Sequence, residues 1–119
     1  MKEHHVNAAS SVVIAKALDG LSARYLAIAE NVANANSRDF RPLRVSFEEA
    51  LKAAASQGDA AVRNVALKAE RSAPSAMGGE MRLDLELADG SETAMRYAAL
   101  LDLLGRQMQI SRTIIRGGQ

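Results

Sequence analysis

The side chains able to do chemistry are few, and their spacing gathers none of them into a site. His4 and His5 are the only histidines. Neighbours on a helix point about 100° apart, which makes a poor metal pair, and neither has an Asp or Glu four residues on to complete a site. Gly78-Gly79 lacks the Gly-Lys-Ser/Thr of a phosphate loop. Glu48-Glu49 and the Asp84/Glu86 pair sit where helices begin, the ordinary place for carboxylates. Arg38, Arg41 and Arg44 form a basic cluster suited to a phosphate or an acidic partner face, but Asp39 and Glu48-Glu49 dilute it. With no Cys in the chain, thiol catalysis, cysteine zinc sites and disulfides are excluded. The residues therefore predict no enzyme, no metal, no cofactor and no small-molecule substrate. Lys plus Arg number 15 and Asp plus Glu 14, a balance that argues against a nucleic-acid binder working by bulk charge.

The elements that would hold such residues are two long helices in one domain spanning residues 1–119. Apolar residues make up 48% of the chain but aromatics only 3%, so the core material is Ala, Leu, Val and Ile, a helix-and-interface composition. From 7 to 36, Ile14, Leu18, Leu21, Tyr25, Ile28, Val32 and Ala35 recur at steps of four and three, the rhythm of a helix seam. Gly20 inside it costs about 1 kcal/mol against Ala and marks either a bend or the close approach of a neighbouring backbone. The helix is expected to stop near Asn34 to Ser37, where Asn tolerates a left-handed cap and Pro42 follows. From 83 to 116, Tyr97, Leu101, Leu104, Met108, Ser111 and Ile115 give one seam. Leu100, Leu103, Ile110 and Ile114 give a second beside it, broken by Gln107. Acids gather early in this helix and arginines late, which complements its dipole. Gly90 allows a later start, with Ser91 or Asp89 as N-cap, and the alternation of Leu83, Leu85 and Leu87 also fits an extended stretch.

The segment 37–82 between them reads as largely irregular and partly flexible. Ser46 is a plausible cap for a short helix over 47–55, while much of 56–80 has turn or linker composition. The expected fold is all-α: two amphipathic helices pairing antiparallel in a coiled-coil-like way. A helix from Ser91 to Arg116 spans about 39 Å, and two such helices make a thin core. The second seam then needs cover. Pattern alone leaves two sources equally open: other subunits, or extra helices at 47–55 and 60–69 of the same chain.

One local pattern is more specific. Leu18-Asp19-Gly20-Leu21, the run Leu26-Ala27-Ile28-Ala29-Glu30-Asn31-Val32-Ala33-Asn34-Ala35-Asn36, and then Phe40 and Phe47 resemble the N-terminal signature of flagellar basal-body rod proteins. That signature ends a helix in Ala-x-Asn-hydrophobic-Ala-Asn-x-x-Thr-Pro-Gly-Tyr, with a Phe a few residues on. Ala29, Asn31, Val32, Ala33 and Asn34 match it, and Phe40 stands at the Tyr position. Leu83-Asp84-Leu85-Glu86, Glu92, Arg96-Tyr97 and the run Leu100 to Gln107 are similar to the end of the B-type proximal rod proteins. The resemblance covers about 8–52 and 81–116. It departs where Ser37-Arg38-Asp39 replaces Thr-Pro-Gly.

The resemblance implies a structural subunit of the bacterial flagellar rod that packs helically with copies of itself and other axial proteins, near the membrane ring and export gate, to transmit torque. It also implies a periplasmic location reached through flagellar export, in keeping with the absence of an unbroken apolar h-region after Met1. Seam and motif together give the expected assembly interface: Leu18, Leu21, Tyr25, Ile28, Ala29, Asn31, Val32, Asn34, Phe40 and Phe47, with Tyr97, Leu100, Leu101, Leu104, Met108 and Ile115. Met108 reads as an interface filler. The isolated chain is expected to be partly helical and to gain helix on assembly. The rival reading is a small helical adaptor or export chaperone that binds one partner helix.

Overall fold

A computed structural model describes residues 10–73 and 82–117. They form α1 (Ser11–Ala33), β1 (Leu43–Ser46), α2 (Glu48–Ala55), α3 (Asp59–Arg63), β2 (Lys68–Arg71) and α4 (Leu83–Gly117). His4, His5, the expected helix start at Asn7 and Gly78-Gly79 lie outside the described residues, as does the part of the expected linker from 74 to 81. The chain is mostly helical, with a long helix at each end. No helix among the described residues is long and apolar enough to cross a membrane.

α1 begins where Ser10 caps it, the hydroxyl accepting the Val13 N–H at 3.1 Å. Ile14, Leu18, Leu21 and Ile28 of the expected seam are buried, but Tyr25 is 49% exposed. A second stripe, Val13, Ala17, Gly20, Arg24, Ala27 and Asn31, repeats the same four-and-three spacing and is also covered. The middle of the chain does the covering. Leu21 and Ala27 join Val45, Phe47, Leu51, Ala54 and Val62 in one cluster. Gly20 is the point of closest approach: a Cβ there would lie 2.6 Å from the Phe47 ring. The neighbour that needs the glycine is thus a side chain, not a backbone.

The all-α expectation is corrected by a small antiparallel sheet, in which Leu43 pairs with Arg71 and Ser46 with Lys68. Leu43-Arg44-Val45-Ser46 does alternate, with Val45 turned inward, but β2 is exposed along its whole length and carries no apolar signal of its own. Its three charged residues keep that edge from recruiting another strand. The irregular, partly flexible character expected of 56–80 is likewise corrected over 56–73: α3 and β2 form there, and Val62 is fully buried. Gly58 takes φ +108°, a conformation side chains resist, to turn α2 into α3. Ser46 is not the cap of α2. It ends β1, and Phe47 stands at the cap position without a side-chain bond to the helix. The left-handed cap expected of Asn34 is also absent (φ −106°); the left-handed residue is Asp39 at φ 62°.

α4 runs unbroken through Gly90, so neither the extended stretch at Leu83–Leu87 nor a start at Ser91 forms. The Glu86 N–H already donates to the Arg82 carbonyl at 3.0 Å. Its covered positions are Glu86, Gly90, Thr93, Leu100, Leu104 and Gln107. That line runs between the two seams expected from sequence. Asn31 bonds Glu86, Gly90 lies against Ile28, and Leu21 and Tyr25 lie beside Thr93 and Tyr97. The middle of the chain therefore wraps α1 and leaves most of α4 open.

Candidate assembly interface

Two polar clamps hold the wrapped half together. The first is built on Asn31, which is fully buried. Its Nδ2 donates to the Leu43 carbonyl at 3.0 Å and its Oδ1 accepts the Leu43 N–H at 2.8 Å. This is the reciprocal pair that one strand residue gives another. The same Nδ2 donates to Glu86 Oε1 at 2.9 Å. The other carboxylate oxygen of Glu86, a residue only 2% exposed, accepts from Arg44 Nη1. Burying a carboxylate costs several kcal/mol unless it is paired and hydrogen-bonded, and here it is both. An amide is the one neutral side chain offering two donor hydrogens and an acceptor, so no apolar residue satisfies all three partners.

The second clamp is Arg24. Its Nε and Nη2 donate to the Val45 carbonyl at 3.3 and 2.7 Å. Nη1 and Nη2 grip Glu48 at 2.6 and 2.8 Å, and the guanidinium lies 5.0 Å from the Phe47 ring centre. One side chain thus ties α1 to β1 and α2. The hydrogen-bonded guanidinium holds the Glu48 carboxyl down from 4.5 to about 2, and Glu48 in turn raises Arg24. A lesser tie joins Arg71 to Glu30 at 3.1 Å, with Phe40 beneath the guanidinium at 5.2 Å.

The expected interface residues divide between these clamps and the open surface. Leu18, Leu21, Ile28, Asn31 and Phe47 are buried against the chain's own elements. Val32, Asn34, Phe40, Leu100 and Leu104 are half-buried. Ala29, Tyr25, Tyr97, Leu101, Met108 and Ile115 are exposed. Asn34 turns back on its own helix, its Nδ2 donating to the Glu30 carbonyl at 2.9 Å. Sequence reasoning passed over Arg24, although it stands on the second stripe of α1. It also missed that Glu86, four and seven residues before Gly90 and Thr93, belongs to the buried line of α4.

Two shallow hollows flank the α1–α4 contact. The larger, about 480 Å³, is lined chiefly by Val13, Ala17, Leu51, Ala55, Ala99 and Leu100. The smaller, about 260 Å³, lies among Leu21, Tyr25, Leu26, Thr93 and Tyr97. The larger is also lined by Glu48, Lys52 and Arg96, and Glu48 is already held by Arg24. Among the described residues, no group of three or more His, Asp or Glu side chains is placed to hold a metal. The surface that remains is apolar and helical: Leu85, Leu87, Met95, Leu101, Ile110, Ile114 and Ile115 of α4 are each more than half exposed. No protein-family model matches the chain, and no curated protein matches it.

Proposed function

We propose that the chain is a structural subunit of the bacterial flagellar rod, akin to the B-type proximal rod proteins. In this reading α1 and α4 pair antiparallel in a coiled-coil-like layer, and copies of the chain with other axial proteins cover what α4 leaves open. The observation that carries the reading is the Asn31–Glu86 hydrogen bond. The resemblance rests on two separate stretches, one around Asn31 and one around Glu86, and these two residues meet in a buried contact. The turn adds support: where the rod signature has Gly, Asp39 takes the left-handed backbone that glycine would supply. The exposed apolar length of α4 adds more, because a monomer rarely leaves so long a stripe in water.

The experiment is recovery of the protein from purified basal bodies, with Leu101→Asp as the variant. Leu101 is 51% exposed, so the fold survives the change. Incorporation and swimming are expected to fail, and normal swimming would overturn the reading. The larger hollow favours a second reading, an adaptor that seats one partner helix there. Sedimentation separates the two: a discrete complex of fixed stoichiometry speaks for the adaptor, and open-ended or partner-templated oligomers for the rod.

A further inference from the structure

The two ends of α4 carry opposite charge on exposed apolar ground. Near the start, Leu85, Asp89 and Glu92 follow at steps of four and three and form one exposed strip. Near the end, Met108, Arg112, Ile115 and Arg116 form another, and every residue from 108 to 117 is exposed. From 106 onward the helix holds three arginines and no acid. Arg112 and Arg116 hold no ion pair among the described residues, and neither does Asp89. Glu92 pairs with Arg96 of its own helix at 3.3 Å, and Asp89 and Glu92 also act on Arg24 at longer range.

We infer that these strips are the two halves of one contact between copies of this chain: the basic Met108–Arg116 strip of one copy docks on the acidic Leu85–Glu92 strip of the next. The chain cannot make the contact with itself, because both strips lie on one continuous helix, with centres about 36 Å apart at 1.5 Å per residue. A symmetric dimer cannot make it either. Arg112 follows Leu85 by about 7.5 helical turns at 3.6 residues per turn, so the strips face opposite sides of α4. One neighbour cannot reach both, and each copy therefore needs two different neighbours. Such a heterologous contact propagates into an open chain instead of closing. The inference deepens the assembly reading by naming the partner of the α4 surface, and it rests on that reading only in taking this surface to be an assembly face.

The test uses the absence of native Cys. Single variants Leu85→Cys and Ile115→Cys are mixed and oxidised. The expected product is the mixed 85–115 dimer, well above the roughly twofold excess over either like dimer that random pairing gives, and the double variant is expected to give a ladder of oligomers. Arg112→Glu with Arg116→Glu is expected to lower the mixed yield about tenfold, as two attractions become repulsions. Adding Asp89→Arg and Glu92→Arg to the same chain is expected to restore it. Like dimers in excess, no mixed dimer above a Ser22→Cys control, or a yield unmoved by charge reversal would each overturn the contact. Basal bodies that contain the protein while the mixed dimer is missing would remove this contact alone. A mixed dimer from a protein that basal bodies lack would remove the rod reading alone.

Discussion

α1 and α4 share the same sequence rhythm and end in opposite situations. α1 is enclosed twice, by α4 at Ile28 and Asn31, and by the middle of the chain along Gly20, Arg24, Ala27 and Asn31. α4 is covered along one narrow line and open elsewhere. Of the large apolar side chains exposed among the described residues, all but Tyr25 and Leu26 lie on α4. The difference shows where the short chain spends its packing. Residues 43–71 fold back on α1 and make it the anchor of a small domain, which leaves α4 as a blade fixed at one edge. Stability resides in the first helix, and whatever α4 meets must come from outside the described chain.

The comparison breaks most visibly through paired substitutions. Ile28→Asp places an unpaired carboxylate where Ile28 is 6% exposed, and should cost about 3–5 kcal/mol. Leu101→Asp, at 51% exposure, should change stability by less than about 0.5 kcal/mol. Urea unfolding of both variants reads the contrast. Equal losses would mean that α4 is as enclosed as α1. Hydrogen exchange should agree, with slow amides around Gly20–Asn31 and fast ones over 108–117.

Two glycines sharpen the same point with a smaller effect. In Gly20→Ala the new methyl meets the buried Phe47 ring at 2.6 Å. Overpacking of this kind costs up to about 3 kcal/mol and outweighs a helix-propensity gain of about 1, for a net loss of about 2 kcal/mol. Phe47→Leu in the same chain should relieve part of that loss, giving a non-additive cycle. At Gly90 the nearest atom to a new methyl is Ile28 Cγ2 at 3.4 Å, an ordinary contact. Gly90→Ala should therefore raise the midpoint of thermal unfolding, by the equivalent of about 0.5–1 kcal/mol.

What could be read in advance follows from periodicity. The seam of α1 was legible because Ile14, Leu18, Leu21 and Ile28 repeat over several turns and are all apolar. Its second face was not, because Gly20, Arg24 and Asn31 serve it through close approach and hydrogen bonds, which a hydrophobic pattern does not register. On α4 the richest apolar lines, through Leu101 and Met108 and through Ile110 and Ile114, are the exposed ones. The covered line runs through Glu86, Gly90 and Thr93, whose cover comes from Asn31, Ile28 and Leu21 of α1 in turn. The sheet was hidden because β2 has no apolar residue larger than Ala69 and exists by virtue of its partner strand. The clamp residue Asn31 was found through its motif, but as a residue of the helix end, not as the bond between three elements.

Acid should loosen the anchor before it affects the free end of the blade. Glu48 has its pKa lowered from 4.5 to about 2 by Arg24, so the folded state favours the carboxylate more than the unfolded state does. The stability this supplies is fully present above about pH 4.5 and is lost as pH falls through about 2. In Glu48→Gln the decline across that window should be shallower, from a lower starting stability. Denaturation profiles of both proteins from pH 5 to about 2 test this. Half the Glu48 side chain is exposed, so added salt should narrow the gap between them.

The smallest effect concerns the hinge between the anchor helix and the strand that wraps it. Ser37 accepts the Phe40 N–H at 3.4 Å, and Asp39 occupies the third position of that turn with φ 62°. Asp tolerates this region better than most residues, yet glycine takes it without steric cost. Asp39→Gly should therefore stabilise by a few tenths of a kcal/mol, because the strain removed slightly exceeds the entropy that glycine adds to the unfolded chain. Asp39→Val should destabilise by about 1–2 kcal/mol, since a branched side chain resists positive φ. If valine is tolerated as well as glycine, the turn is not held at positive φ. The backbone likeness to the Gly of the rod signature then fails, and the case for the family falls back on the Asn31–Glu86 contact.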